Sequence, residues 1–365
     1  MIDLKQISPK KILVINTFGI GDVLFTTPFI SNLKASFPEA MIGYVGNKRT
    51  APLLKNNPKI TKVFVYERDE FNALYKRSKR EFYGKIFSFL KEVRDHGFDV
   101  VFDFSLNRNI NFLTWLIGIK HRIGFNYRNR SPLLTCGFKL SGFEQKHVVE
   151  YYLDILTYLG LKVYERELEM AINEADHQWA ESFLKNQIVG KGQPLIGIIP
   201  GAGVSWGKEA RYRRWSSQKY TKLIDNLIEK FSAKIILMGA KEEQELCSEV
   251  ISQSGADIID ACGKTNLGQL AALLKKCHLV VLNDGGPLHV SVAVKTKTVS
   301  IFGPVDERVY GPYGDPAEHL SAKKNLACQP CYRRFRMTNC QHISCLNTLE
   351  VEDVFRQVEK LMLKN

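Results

Sequence analysis

The stretch KKILVINTFGIGDVLFTTP, residues 10–28, decides the fold class because it joins an apolar run to a glycine turn and a helix start. The run from Ile12 to Ile15 is typical of a buried strand in a parallel sheet. Gly19 and Gly21 permit a tight turn, and Asp22 stands at the start of the predicted helix, where the helix dipole stabilises a carboxylate. This order of elements predicts an α/β fold.

The same alternation continues along the chain. Further strands are predicted at AMIGYVG, ITKVFVY, FDVVFDF, HRIGF, LIGIIPG, AKIILMG, DIIDACG, HLVVLND and TKTVSIFG, with helices at 22–37, 82–96, 148–159, 217–231, 241–252 and 266–277. A chain of 365 residues suits two such domains. We therefore predict two Rossmann-like doubly wound domains facing a cleft, over 1–185 and 186–350, with a C-terminal helix over 351–365. The glycine-rich segment 185–194 is the predicted linker.

The net charge of +13 favours an anionic partner, which could be a nucleic acid, a membrane surface or a phosphorylated substrate. Seven basic residues and one acid lie between Arg108 and Lys146, and KRSKR at 76–80 adds a second cluster. Solvated faces account for most such residues. No nucleic-acid-binding motif is present, so the distribution favours an anionic acceptor or membrane surface.

Targeting signals are not evident in the sequence. The first apolar run is four residues long, and the apolar stretch at 112–119 stops after eight, well below the roughly 20 residues of a membrane span. We therefore expect a cytoplasmic protein.

The loops after the predicted strands are where ligands bind in open α/β sheets. A dinucleotide fingerprint would need a third glycine at position 24, where Leu24 stands, so the turn at Gly19 is a weak match for a Rossmann oxidoreductase. Asp22 is then either a helix cap or a functional carboxylate.

Two loops of the second half suit a phosphate-bearing ligand. PGAGVSWGKEARYRRW, residues 200–215, supplies glycines and the cations Lys208, Arg211, Arg213 and Arg214, but it lacks the GKS or GKT of a Walker motif. NDGGPLH, residues 283–289, places Asp284, a glycine pair and His289 at a predicted helix start whose N–H groups would bind an anion.

Taken together, GIGDVLFTTP, the RRW segment, NDGGPLH and GPVDERVYGPYG resemble the ADP-heptose:lipopolysaccharide heptosyltransferase family, glycosyltransferase family 9. The resemblance runs in order over nearly the whole chain. It implies a GT-B fold, ADP-heptose as donor, a lipopolysaccharide inner-core or lipid-linked glycan acceptor, inversion at the anomeric carbon and no cofactor or metal requirement. It also implies peripheral contact with the cytoplasmic face of the inner membrane and no nucleic-acid partner.

Residue roles follow from the resemblance by position. Asp22 is the implied catalytic base, and the implied donor-binding residues are Arg213, Glu242, Asp284, Gly285, Gly286 and His289. Acceptor binding is assigned to Gly21, Asn107, Arg108 and Arg122. The chain departs from the family pattern where Gly285 replaces a threonine or serine and where Arg213 replaces a lysine. The acidic position after MGA is also shifted, because Lys241 intervenes before Glu242, and by the residues alone either Glu242 or Glu243 could accept from a ribose hydroxyl.

Four of the eight cysteines, Cys328, Cys331, Cys340 and Cys345, lie within eighteen residues. The spacing of the first pair suits half of a zinc site, whereas the second pair is more widely spaced. A structural metal, a disulfide and free thiols all remain open. Two alternative functions remain. Within the transferase class, the chain could be a family member that uses another nucleotide sugar. Outside that class, it could be a nucleotide-sugar-binding protein without turnover.

Overall fold

The apolar runs form two separate parallel sheets, as predicted. The computed structural model describes residues 3–187, 189–190 and 192–364, and it leaves the side chains of 204–206 and 208 undescribed. The chain divides into unit 1, residues 1–143 and 148–166, and unit 2, residues 144–147 and 167–365. Among the described residues, none of the helices is long and apolar enough to cross a bilayer.

Unit 1 is built on a parallel sheet with the strand order β3-β2-β1-β4-β5-β6. Its strands are β1 (Lys11–Ile15), β2 (Met41–Gly46), β3 (Lys62–Val65), β4 (Val100–Asp103), β5 (His121–Tyr127) and β6 (Cys136–Leu140). Its helices are α1 (Leu4–Ile7), α2 (Ile20–Leu24), α3 (Thr27–Ser36), α4 (Ala51–Lys55), α5 (Arg68–Arg77), α6 (Lys79–Asp95), α7 (Arg108–Leu116) and α8 (Val148–Tyr158). Because β1 pairs with β2 on one side and β4 on the other, the strand order reverses beside β1.

Helices cover both faces of this sheet. Leu13 and Val101 pack in one cluster with Val93 of α6 and Ile110 of α7. The next residue of β4, Phe102, points to the opposite face, where its ring meets Phe29 of α3 at 4.8 Å between centroids. The α6–α7 layer and the α3–α8 layer therefore lie on opposite sides, as side-chain alternation along a strand requires.

The single helix predicted over 22–37 is two helices, α2 and α3, joined at Phe25 and Thr26. Pro28 lies in the first turn of α3 and has no N–H group to continue a helix that began earlier. The hydroxyl of Thr26 donates to the Val23 carbonyl oxygen at 2.7 Å, which closes α2.

Unit 2 contains a second parallel sheet with the strand order β12-β11-β10-β7-β8-β9. Its strands are β7 (Leu195–Ile199), β8 (Lys234–Leu237), β9 (Ile258–Asp260), β10 (Leu279–Asn283), β11 (Lys297–Ile301) and β12 (His319–Ala322), followed by a hairpin of β13 (Tyr332–Arg333) and β14 (Arg336–Met337). Its helices are α9 (Glu174–Lys185), α10 (Ser217–Phe231), α11 (Gln244–Ser254), α12 (Leu267–Lys276), α13 (Gly286–Ala293), α14 (Glu307–Tyr310), α15 (Ser344–Asn347) and α16 (Val351–Met362).

The boundary between the units differs from the predicted one at 185/186 and falls at 166/167. Helix α9 belongs to unit 2 because it packs on α12: Lys276 pairs with Glu181 at 2.7 Å, and the Asp176 carboxylate lies against Gly268. The predicted C-terminal helix forms as α16, but it is part of unit 2. Its Val354, Val358 and Leu361 are buried in the core of that unit.

Candidate functional site

The turn after β1 is fixed by two buried asparagines. Asn16 donates its side-chain amide to the Asp22 carbonyl oxygen at 3.1 Å and accepts from the Phe18 N–H at 3.1 Å. Asn47, at the end of β2, donates to the carbonyl oxygen of Phe18 at 2.6 Å. Glycine alone would leave this turn flexible, so the two amides are what give it one conformation.

Asp22 lies in the first turn of α2 and is half-buried. Its Oδ2 accepts a hydrogen bond from the Gly19 N–H at 3.1 Å, which caps the helix. Gly21 immediately precedes it in the same turn. The carboxylate is therefore both a cap, as one sequence interpretation held, and an acceptor group at the end of a central strand.

Two buried phenols lie near Asp22. Burial raises the pKa of Tyr44 and of Tyr152, and the negative charge of Asp22 raises the pKa of both further. Both hydroxyls are thus protonated at neutral pH. The Tyr44 hydroxyl is hydrogen-bonded to the Thr26 hydroxyl at 2.9 Å. Sequence reasoning missed these phenols because neither is adjacent to the turn in the chain.

The loop after β4 reaches the same sheet edge, since β4 is a neighbour of β1. Burial raises the pKa of Asp103 to about 6, and its Oδ1 accepts from the N–H of Ser105 at 3.0 Å. Asn107 caps α7 by accepting from the Asn109 N–H at 2.9 Å, and Arg108 is exposed in the first turn. The structure thus brings Asn107 and Arg108 to the edge that carries the Asp22 turn.

Arg122 does not join them. It is the second residue of β5 and so lies at the amino end of that strand, away from the carboxyl edge. Its Nε donates to the Leu133 carbonyl oxygen at 2.7 Å, and one terminal nitrogen donates to the carbonyl oxygen of Ile119 at 2.5 Å. The guanidinium group of Arg122 thus holds backbone on either side of β5, and its predicted role in acceptor binding stays untested.

In unit 2, Asn283 joins the ends of the neighbouring strands β7 and β10. Its side-chain amide donates to the Pro200 carbonyl oxygen at 2.7 Å, and its Oδ1 accepts from the Trp215 N–H at 3.2 Å. Trp215 is itself buried and donates Nε1–H to the Leu349 carbonyl oxygen at 2.9 Å. These hydrogen bonds fix the RRW segment, residues 213–215, beside the NDGG turn, residues 283–286. Such an arrangement is expected if both segments contact one ligand.

Arg213 and Asp284 form a buried ion pair beside this turn. Burial raises the pKa of Asp284, and the charge of Arg213 opposes that shift. The pKa of His289, also buried, lies well below its usual value, first because of burial and then because of the positive charges of His147 and Arg213. His289 is therefore a neutral imidazole at pH 7.

The acid that the structure buries in the turn after β8 is Glu243, whereas the predicted Glu242 is exposed. The two carboxylate oxygens of Glu243 accept from the N–H groups of Gly203 at 3.0 Å and Ala240 at 2.9 Å. A Cβ atom at Gly201 would come within 2.0 Å of Glu243 Oε1. Glu243 thus links the loops after β7 and β8, and Gly201 is required for this approach.

The glycine pair of the NDGG turn begins α13, with Gly285 as the N-cap and Gly286 as the first helical residue. A Cβ atom at Gly285 would lie 3.2 Å from the Ala202 carbonyl oxygen, which is a tight contact. Pro287 lies in the first turn, as predicted. The side chain of Lys208, from the neighbouring loop, lies outside the described residues.

The cysteine cluster surrounds the β13–β14 hairpin. Cys328, Cys331, Cys340 and His342 line one open cavity, and the Ile343 N–H donates to the Cys340 sulfur at 3.4 Å. All four cysteines of the cluster are free thiols in the structure. Over the described ranges, no three His, Cys, Asp or Glu side chains are arranged to hold a metal ion. The structural metal stays a prediction.

Comparison with known proteins confirms the family resemblance. A family model described as glycosyltransferase family 9 (heptosyltransferase) matches residues 86–342. Lipooligosaccharide heptosyltransferase 2 of Campylobacter jejuni is 26% identical over 350 residues, which is 95% of this chain and 96% of the relative.

Solved structures confirm the two-domain α/β fold. The family 9 glycosyltransferase of Veillonella parvula aligns over 98% of both chains with a TM-score of 0.82 at 24% identity. Escherichia coli heptosyltransferase WaaC, solved with ADP-2-deoxy-2-fluoro heptose, aligns over 96% of this chain and 99% of its own with a TM-score of 0.70 at 16% identity. The fold of this chain is therefore similar to that of both proteins, in agreement with the GT-B fold that the family resemblance implies.

Proposed function

Because the chain belongs to glycosyltransferase family 9, we propose that it transfers heptose from ADP-heptose to the inner core of lipopolysaccharide with inversion at the anomeric carbon. The observation that carries this is Asp22, a half-buried carboxylate fixed by the Gly19 N–H in a turn at the end of a central strand. The name of the Campylobacter relative, a heptosyltransferase, and the donor analogue bound to WaaC support the choice of sugar.

In this proposal Asp22 is the catalytic base. It accepts the proton of the acceptor hydroxyl while that oxygen forms the bond to the anomeric carbon and the bond to the diphosphate oxygen breaks. The Asn16 and Asn47 amides hold the turn, so that the carboxylate is positioned before the acceptor binds. Asn107 and Arg108 of the neighbouring loop are the acceptor-contacting residues.

Unit 2 binds the nucleotide sugar. The N–H groups at the start of α13 and the guanidinium group of Arg213 stabilise the negative charge of the departing ADP. Asp284 orients Arg213 through the buried ion pair, and neutral His289 supplies an N–H or a lone pair without adding charge. Protein groups thus supply the positive potential, and we expect turnover without a divalent ion.

Gly285 favours one alternative, a family member with a different nucleotide sugar. The family hydroxyl at this position is absent, and the Ala202 carbonyl oxygen occupies the adjacent space. Titration calorimetry with ADP, UDP and GDP decides between them, because the proposed function requires ADP to bind most tightly.

The test of the base is Asp22→Asn, which keeps an oxygen to accept from Gly19 but removes the proton acceptor. We expect transfer to a truncated lipopolysaccharide to fall about a thousandfold while the Kd for ADP changes less than about twofold. Asp69→Asn, an exposed acid of the same unit, is the control and should leave both unchanged. Near-normal turnover by Asp22→Asn would show that Asp22 is only a cap.

A further inference from the structure

Helices α6 and α7 lie side by side on one face of the unit 1 sheet. Phe89, Leu90 and Val93 of α6 line one apolar cavity together with Leu113 of α7 and Ile117, the residue after that helix. The inward sides of the two helices therefore share a core, and we call their outward sides together the α6–α7 face.

Large apolar side chains are concentrated on this face. Tyr83 and Phe87 of α6 are 59% and 69% exposed, and Phe112, Trp115 and Leu116 of α7 are about half exposed. The rings of Phe112 and Trp115 are in contact, with 5.6 Å between centroids. Single exposed apolar residues are ordinary, but five on two adjacent helices mark an interaction surface.

The charges on the α6–α7 face are basic. On α6, Arg80, Lys91 and Arg94 share the helical face of Tyr83 and Phe87 by their spacing. Three acids of α5 and α6 are paired with basic side chains: Glu92 with Lys62 of β3 at 3.3 Å, Glu70 with Lys85 at 3.2 Å, and Glu81 with Arg77.

The excess of basic over acidic residues continues in α7 and in the segment that follows it. Residues 104–143 contain no acid and six basic residues, which are Arg108, Lys120, Arg122, Arg128, Arg130 and Lys139. The basic character of the α6–α7 face is therefore continuous in the chain with a segment of one charge sign.

We propose that the α6–α7 face is a docking surface for an anionic lipid bilayer. Phe87, Phe112 and Trp115 insert at the level of the headgroups, where aromatic side chains are favoured, and Arg80 and Arg94 contact lipid phosphates. A second copy of this chain fits less well, because two such faces would oppose like charges. The inference rests on exposure and charge and not on the proposed function.

The experiment is co-sedimentation of the whole protein with phosphatidylcholine vesicles, with and without phosphatidylglycerol. We expect binding to the anionic vesicles that weakens with salt, and little binding to the neutral ones. Absence of binding to anionic vesicles at low salt overturns the proposal.

Paired variants locate the surface. Phe87→Ser with Trp115→Ser, and separately Arg80→Glu with Arg94→Glu, should each weaken vesicle binding about tenfold or more. The matched controls are Tyr158→Ser with Tyr164→Ser, exposed aromatics elsewhere in unit 1, and Lys222→Glu with Arg356→Glu, exposed cations of unit 2. An equal loss of vesicle binding in a control pair would mean that net charge or nonspecific hydrophobic adsorption, and not the α6–α7 face, accounts for the binding.

Two further readouts separate contact from misfolding or self-association. Brominated phospholipid should quench the fluorescence of the wild type, and Trp115→Phe should bind vesicles but lose most of the quenching. An unaltered unfolding temperature by circular dichroism verifies that each variant is folded. A dimer in light scattering that Phe87→Ser with Trp115→Ser converts to monomer would assign this face to a second copy and overturn the lipid proposal.

Discussion

At the carboxyl end of β4, Asp103 carries a buried carboxyl group whose pKa burial raises to about 6 from 3.8. A raised carboxyl pKa means that folding favours the protonated form. Its contribution to stability is fully present below about pH 3.8 and is lost as the pH rises through about 6. The loss amounts to roughly 3 kcal/mol.

Asp103→Asn should therefore remove the loss of stability at higher pH, because an amide stays neutral. Its oxygen can still accept a hydrogen bond from the Ser105 N–H. Urea unfolding of both proteins at pH 4.5 and 7.5 measures the effect. We expect the variant to gain stability relative to the wild type at the higher pH. Parallel pH profiles of the two proteins would contradict a buried acid of raised pKa.

Arg122 gives a second prediction at the residue scale. Arg122→Ala removes the hydrogen bonds to the carbonyl oxygens of Leu133 and Ile119 and should lower stability by about 2 kcal/mol. The acceptor KM should not change, because the side chain lies at the amino end of β5. Arg130→Ala is the exposed control for the lost charge. A raised KM with unaltered stability would restore Arg122 to acceptor binding.

At the scale of elements, Glu243 connects the loops after β7 and β8. Glu243→Gln replaces one carboxylate oxygen by an NH₂ group, which cannot accept from the N–H of Gly203 or Ala240. We expect a stability loss of about 1–3 kcal/mol and a weaker ADP affinity, because the β7 loop loses its support.

Glu242→Gln is the matched control, one residue away and exposed. Thermal unfolding and calorimetry with ADP on both variants compare the two acids directly. If Glu242→Gln alone weakened ADP binding, the original sequence prediction would be correct and Glu243 would be dispensable.

The central strands could be predicted from sequence because strands buried on both faces are continuous apolar runs. Besides the two short hairpin strands β13 and β14, the strands that the sequence analysis does not predict are β6 and β12. Both lie at sheet edges, where β6 (CGFKL) is partly exposed and β12 (HLSA) is short and mixed in polarity. The other two edge strands, β3 and β9, keep an apolar run and are predicted, so the weak signal of β6 and β12 comes from their mixed polarity.

The site was predictable to the extent that it follows strands. Asp284 stands directly after β10, and Asp22 lies in the helix start that follows the turn after β1, so both are reached from predicted strands. Their partners could not be predicted in the same way. The contact of Asn47 with Phe18 and the pairing of Arg213 with Asp284 depend on which strands are neighbours, and that order is set by the fold.

At the scale of the whole molecule, the packing of helices determines where the chain divides into its two units. Glycine and proline predict a linker at 185–194 because they mark breaks in secondary structure, but a break between elements need not be a break between domains. Helix α9 precedes that segment and still belongs to unit 2. Its Ala180 is fully buried, and Asp176 lies against Gly268 at the start of α12.

Two fragments test this division. Residues 167–365 keep α9 on α12 and should unfold cooperatively on heating. Residues 186–365 expose the side of α12 that α9 covers and should unfold at a temperature several degrees lower or without a clear transition. Both fragments lack His147, whose ring bonds to the Gly311 carbonyl oxygen at 3.1 Å, so that loss cancels in the comparison.

Circular dichroism on heating is the measurement, and Lys276→Ala in the longer fragment is the graded control. It removes only the exposed pairing with Glu181 and should shift the transition little, since such pairs contribute less than about 1 kcal/mol. Equal stability of the two fragments would mean that α9 is an attached helix and that the predicted boundary at 185/186 separates the folding units. A lower stability of the shorter fragment alone would place the boundary before α9, because burial of α12 and not chain flexibility then determines where unit 2 begins.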